Sequence, residues 1–303
     1  MPVSFRPLPG AFGAEILDLD LSRDQSEATM REVLSIFYEH QFIAIRGQKL
    51  QLSEFDSFSR CFGTQRPHFL DHLRMDGHPA ILMLSNIHES GRQIGIYEGA
   101  CFWHTDVAYE DPPNSATIVY AIDTPKGEAA PTYLADMFAA YDALTERTKR
   151  MIDGLIVLHH YGNRYDTKEG SPTAAERLTE DQKQRVQNVH HPLVIRHPVT
   201  GRRSLYGVAG SSFGIVGMPD DEAFDLLHEL AEHATKPEFT TAYDYAPGDV
   251  ACWDTYSTLH KAPGQKAAVR GDPHARLLWR VSVTGTAPLA ASRQDQLAPQ
   301  AAE

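Results

Sequence analysis

The apolar positions of the chain change period along its length. Residues 14–21 form a short apolar stretch, residues 27–40 carry the three-to-four spacing of an amphipathic helix, and residues 41–46 read as a strand. A second helix is predicted over 53–62. Strands dominate from there, over 80–85, 116–122, 132–135, 155–161, 192–196, 240–245, 249–253 and 276–284. Helical stretches over 137–153, 174–187 and 220–234 interrupt them. Many short strands separated by turns predict a mainly β fold with flanking helices, built as a barrel or jelly roll. Residues 166–173 are polar and turn-rich, and with the weak helix after them they suggest an insertion over 166–190 that can act as a lid. From Pro288 onward Ala, Gln and Pro take over without periodicity. The expected division is one domain over 1–287 and a disordered tail over 288–303, with no internal repeat.

Charge narrows the partners. Forty acidic residues against 28 basic ones give a net charge of -12, so nucleic acid and anionic membranes are excluded as general partners. An anionic small molecule must then be caught by local arginines. The opening residues lack the pattern of a signal peptide, and no apolar run approaches roughly 18 residues, so a soluble, cytoplasmic protein is expected. Cys61, Cys101 and Cys252 form no metal-type or redox-type pair and are expected to be reduced, buried thiols. A homo-oligomer is the expected assembly.

Among fifteen histidines, only His104 is followed two residues later by a carboxylate, Asp106. On extended backbone, residues i and i+2 project from the same face roughly 6.6 Å apart, so an imidazole and a carboxylate can converge on one ion. Two histidines and one carboxylate on one face of an octahedron leave the other face open, which is the facial triad of non-haem Fe(II) oxygenases. A lone His-x-Asp is weak evidence by itself, because a turn histidine is the commoner explanation. His260 is the best second histidine, because it follows the tight turn 246–249 and the strand after it. His159-His160 and His190-His191 are adjacent pairs that point to opposite faces of a strand, and His197 precedes Pro198 in a turn. His228 and His233 imitate a zinc protease helix, but their spacing puts them roughly 140° apart, as on a solvent-facing surface.

His104-x-Asp106, then Trp253-Asp254 with His260 six residues after the aspartate, then Arg276 and Arg280, resemble the taurine dioxygenase and 2,4-dichlorophenoxyacetate dioxygenase family. Further similar stretches lie at 46–48, 62–63, 135–141, 196–202 and 236–239, so the resemblance runs from about Phe5 to Pro288. It implies a double-stranded β-helix (jelly roll) with helices outside, Fe(II) as metal and 2-oxoglutarate as cosubstrate. It also implies that Arg276, helped by the Thr132 hydroxyl, binds the far carboxylate of 2-oxoglutarate. Arg280 then meets an anionic group of the primary substrate, with His68 at the position of a substrate-contacting histidine and Tyr97 as a further pocket candidate. Residue pattern supports the split between the arginines: on one strand both share a face, about 13 Å apart, which suits two anions and not one.

The chain departs from the family in three places. Ala129-Ala130-Pro131-Thr132 keeps the threonine of a Gly-Gly-acid-Thr run but loses the glycines and the acid. Ala100 stands for a substrate-contacting asparagine and Ser211 for a pocket phenylalanine, which argues against taurine. The expected activity is therefore hydroxylation of a small, anionic organic substrate by dioxygen, with C–O, C–N or C–S cleavage where the oxidised carbon bears such an atom. Two other readings fit the same ligands: a zinc-dependent hydrolase, which leaves Arg276 and Thr132 without a task, and a non-catalytic anion-binding barrel.

Overall fold

The computed structural model describes residues 2–68, 71–96, 101–127, 130–161, 179–264 and 266–289. Helix Glu27–His40 starts at Ser26, whose side chain accepts a hydrogen bond from the Thr29 N–H, and ends at Gln41 in the left-handed region (φ 63). Its buried face, Met30, Val33, Leu34, Ile36 and Phe37, packs on a sheet whose strands lie in the order Phe5–Pro7, Ala14–Ile16, Phe42–Ile45, Val250–Asp254, Asn114–Asp123, Leu277–Thr284, His78–Ser85 and Arg74–Met75. Thr64–Arg66 pairs with the end of Leu277–Thr284.

Alternation sorts each strand's side chains between two cores. Ile43, Ile45, Ile118, Tyr120, Val250, Cys252, Val281 and Val283 face the helix side. Phe42, Ala44, Val119, Ala251 and Trp253 face inward and meet Leu134 and Tyr243. The latter two come from a second sheet, Thr240–Tyr243, Thr132–Asp136 and Thr258–Lys261, antiparallel throughout. The outer face of that sheet, with Ala135 and Leu259, is covered by Ala223, Leu227, Leu230 and Ala234 of helix Asp220–Ala234. Two sheets packed face to face with helices outside each are the jelly roll expected from the sequence.

Some elements differ from expectation. The single helix over 137–153 is two, Met137–Asp142 and Glu146–Ile152, because Thr145 adopts extended backbone and caps the second through Thr148 N–H. Of the helix expected over 174–187, residues 174–178 lie outside the described residues and Glu180–Arg185 is helical. Of the 166–190 insertion, residues 166–178 lie outside the described residues, and Val189–Pro192 pairs with Ile156–His159 in a further sheet completed by Ser212–Ile215. Of the expected tail, Leu289 packs against the helix-side core and its carbonyl accepts from Arg31, while 290–303 lie outside the described residues. Among the described residues none of the three cysteines forms a disulfide, but only Cys252 is fully buried; Cys61 is half-buried and Cys101 exposed. Among the described residues no helix is long and apolar enough to cross a membrane.

Candidate active site

His260 lies on strand Thr258–Lys261 opposite Leu134, a residue of the inter-sheet core, so its side chain points into the barrel while Leu259 points out. The segment carrying His104 is held to that strand by one bridge: the His104 N–H donates to the His260 carbonyl (2.9 Å) and the His260 N–H to the His104 carbonyl (3.0 Å). Outside this bridge the Lys261 ammonium sits 4.9 Å from the Trp103 ring centre and 5.2 Å from that of Tyr133, a cation–π contact that secures both segments. Gly210 backs the site. With φ +88 it suits glycine, and a Cβ there would come 2.5 Å from His104 Cβ. Immediately after Asp106 the β-branched Val107 is left-handed (φ 54), an unfavourable conformation held by its buried surroundings.

These contacts bring one ligand atom each of His104, Asp106 and His260 within 4.8 Å of one another. His104 Nε2 lies 3.5 Å from Asp106 Oδ1, and His260 Nε2 lies 3.5 Å from Asp106 Oδ2. His104 Nδ1 is 2.9 Å from the Phe102 carbonyl; donation there puts the proton on Nδ1 and leaves the Nε2 lone pair for a cation. Asp106 is held from two more sides, by Thr117 Oγ1 donating to Oδ2 (2.7 Å) and by Arg280 Nη2 at 2.8 Å from Oδ1.

The electrostatics suit a cation. Burial pushes the Asp106 carboxyl up, but Arg280, His260 and His104 outweigh it and hold the group well below the usual carboxylate range. Burial lowers His260 to about 3, so its imidazole is neutral at physiological pH. An anionic oxygen beside two imidazole nitrogens is a donor set for a divalent metal.

Arg276 and Thr132 are both buried, and Tyr245 joins them: its hydroxyl lies beside Thr132, and the Arg276 guanidinium carbon is 5.7 Å from its ring centre. Trp253 packs on His260 with ring centres 4.8 Å apart. Trp253 Nε1, the Tyr245 hydroxyl and Arg280 Nε are buried without a hydrogen-bond partner. Orphaned polar atoms at an interior wall are what a polar ligand would satisfy. Arg276 lies one residue before strand Leu277–Thr284, which pairs with His78–Ser85 without a shift from Leu277 to Val281; the register shift against Asn114–Asp123 falls on that neighbour, where Ile122 is skipped. Arg280 also does something unforeseen in pairing with Asp106 itself.

His68 is half-buried, its carbonyl accepting from Arg74 Nε at 2.6 Å. Tyr97, Ala100 and Ala129 lie outside the described residues. Ser211 is buried and its hydroxyl is 3.0 Å from His159 Nδ1. His197 accepts the Val199 and Thr200 N–H groups at Nδ1, so Nε2 donates to Asp254 Oδ2 at 2.7 Å and neither nitrogen is left for catalysis. His228 is exposed, whereas His233 bonds the Ala140 carbonyl and ties its helix to Met137–Asp142. Thr117, Gly210 and Tyr245 were not singled out by sequence, since a strand threonine, a loop glycine and a turn tyrosine carry no local signature.

Comparison with known proteins gives the same picture. The profile of the family described as "Taurine catabolism dioxygenase TauD, TfdA family" matches residues 4–282. Pentalenolactone F synthase of Streptomyces arenae is 29% identical over 262 residues, covering 84% of this chain and 88% of that protein. The alpha-ketoglutarate-dependent 2,4-dichlorophenoxyacetate dioxygenase of Cupriavidus pinatubonensis is 28% identical over 275 residues, covering 86% and 92%. The crystal structure of AAD-2 in complex with Mn(II) and N-oxalylglycine superposes with a TM-score of 0.75 at 26% identity, covering 95% of this chain and 100% of that one.

Proposed function

This chain belongs to the taurine catabolism dioxygenase TauD, TfdA family and is a 2-oxoglutarate-dependent dioxygenase that uses iron(II); from that premise we propose that His104, Asp106 and His260 hold the metal, that Arg276 and Thr132 hold 2-oxoglutarate, and that the primary substrate is a small organic anion. The observation that carries this reading is the convergence of the three ligand atoms within 4.8 Å inside the barrel. The donor set fits iron, and the orphaned polar atoms beside it fit a dicarboxylate.

When bound, iron and 2-oxoglutarate supply the oxidising chemistry that places one oxygen atom on a substrate carbon and yields succinate. The chain's own groups fix where this happens. His104 and His260 would each present one imidazole nitrogen to the metal, and Thr117 orients the Asp106 carboxylate by donating its hydroxyl to Oδ2. Trp253 packs against His260 and excludes water from that side. Arg276 supplies a fixed planar fork for the far carboxylate.

Arg280 reaches the site from the same strand as a second cation, beside the metal ligand Asp106. An anionic substrate head there would share its charge, which supports the choice of an anion, and His68 is proposed as a further substrate contact. Hydroxylation next to oxygen, nitrogen or sulfur would lead to bond cleavage. Cysteines that form no disulfide among the described residues accord with a reducing, cytoplasmic location.

Anaerobic addition of 2-oxoglutarate to the iron(II) protein should give a visible metal-to-ligand absorption band, and turnover should form succinate stoichiometrically with product. Full turnover with zinc alone and no succinate would replace this reading with that of a hydrolase.

A further inference from the structure

Tyr245 lies two residues beyond strand Thr240–Tyr243, and Tyr243 pairs with Thr132. Its ring stands perpendicular to that of Tyr243, with centres 5.0 Å apart, and packs on the inter-sheet core. This fixes the phenol at the wall where Thr132 and Arg276 meet. Although its hydroxyl lies beside that of Thr132, no hydrogen bond of acceptable geometry forms, and the oxygen is sealed from solvent without a partner. A native fold rarely keeps a polar atom in that condition unless something outside the chain completes it.

We propose that the Tyr245 hydroxyl is a third donor to the far carboxylate of 2-oxoglutarate, acting with Arg276 and Thr132. This rests on the cosubstrate pocket assigned above. A carboxylate offers about four lone-pair directions. The arginine fork takes two of them in parallel, and two hydroxyls, Thr132 from a strand and Tyr245 from the segment following the neighbouring strand, take the others. Burial pushes the phenol up to about 12, so at neutral pH it keeps its proton and donates. Because the ring is fixed by packing, the donor sits at a set depth, and it recognises an acid that carries a second carboxylate at that depth.

The test is Tyr245→Phe in the full chain, which keeps the ring and removes only the hydroxyl. Iron(II)-loaded protein is titrated anaerobically with 2-oxoglutarate by its absorption band, and the manganese form with N-oxalylglycine by calorimetry. Pyruvate, which chelates through the same two groups but lacks the far carboxylate, is the reference ligand. Loss of a hydrogen bond to a charged group predicts affinity for the two dicarboxylates weaker by about tenfold or more, with pyruvate unchanged. Without ligand the variant should unfold at the same denaturant concentration as the parent or higher, since an unsatisfied hydroxyl has been removed. Unchanged dicarboxylate affinity, or an equal loss for pyruvate, overturns the assignment. Arg276→Ala is measured alongside: if it weakens 2-oxoglutarate while Tyr245→Phe does not, only the role of Tyr245 fails, and if neither variant weakens it the pocket itself is elsewhere.

Discussion

Replacing Thr117 with valine removes one hydroxyl and almost no volume from a fully buried position. Thr117 lies on strand Asn114–Asp123, paired on one side with Trp253 and on the other with Ser282, and is 0% exposed. Its Oγ1 donates to Asp106 Oδ2 over 2.7 Å. A hydrogen bond to a charged group contributes roughly 1.5–3 kcal/mol, and loss of a group that orients a metal ligand typically costs about 10–100-fold in metal affinity. Arg280 still holds the other oxygen of Asp106, so Thr117→Val should weaken binding by about that factor and not abolish it. Thr117→Ser, which restores the hydroxyl, should return affinity to within about threefold of the parent. Titration of the metal-free protein with cobalt(II), followed by its visible d–d bands against a competing chelator, reads this without turnover. A folded Thr117→Val protein with parental cobalt affinity would refute the view that this bond prepares the carboxylate for the metal.

His260→Ala and Asp106→Ala should each lose iron after anaerobic reconstitution, whereas His159→Ala, whose imidazole is engaged by Ser211, should retain it; the reverse pattern in an iron assay would transfer the ligand role to His159. Arg276→Ala should raise the apparent KM for 2-oxoglutarate by at least about tenfold. Arg280→Ala should weaken the primary substrate by a similar factor and, because Arg280 also pairs with Asp106, shift the chelate absorption band; unchanged substrate affinity would mean that another group reads the substrate. Burial lowers His159 to about 3, aided by His191 and His190, so between pH 6.5 and 3 the unfolded chain binds a proton that the folded chain refuses. Stability is therefore lost as pH falls through 6.5, by about 2 kcal/mol at pH 5. Denaturant unfolding at pH 7.5 and 5 should show that loss reduced by the same amount in His159→Gln, and equal losses in both proteins would assign it to other groups.

The site was unevenly legible in the sequence. His104 and Asp106 declare themselves because their two-residue spacing is local, and His260 because a turn and a strand precede it. Arg276 and Arg280 were legible as a pair four residues apart, although the strand itself begins only at Leu277, and the irregularity of the neighbouring strand at Ile122 had no local signal. The partnership of Arg280 with Asp106 spans 174 positions, and no local pattern encodes it. The break at Thr145 was missed because apolar periodicity continues across it, while the cap that starts a new helix is a matter of one backbone torsion and one hydroxyl.

By itself, then, the sequence determined which faces are buried, since alternation and helical spacing need only neighbouring residues, and it supplied the ligand types through a short motif and its resemblance to a family. Tertiary structure alone decided which atoms meet. The bridge between His104 and His260, the close approach of Gly210 to His104 and the phenol of Tyr245 beside Thr132 join segments far apart in the chain, and the hydroxyl of Thr117 reaches Asp106 across a turn of eleven positions. Such contacts depend on sheet packing and loop paths set by the whole core, and hydrogen bonds register differences of tenths of an ångström that a pattern of residue types does not contain.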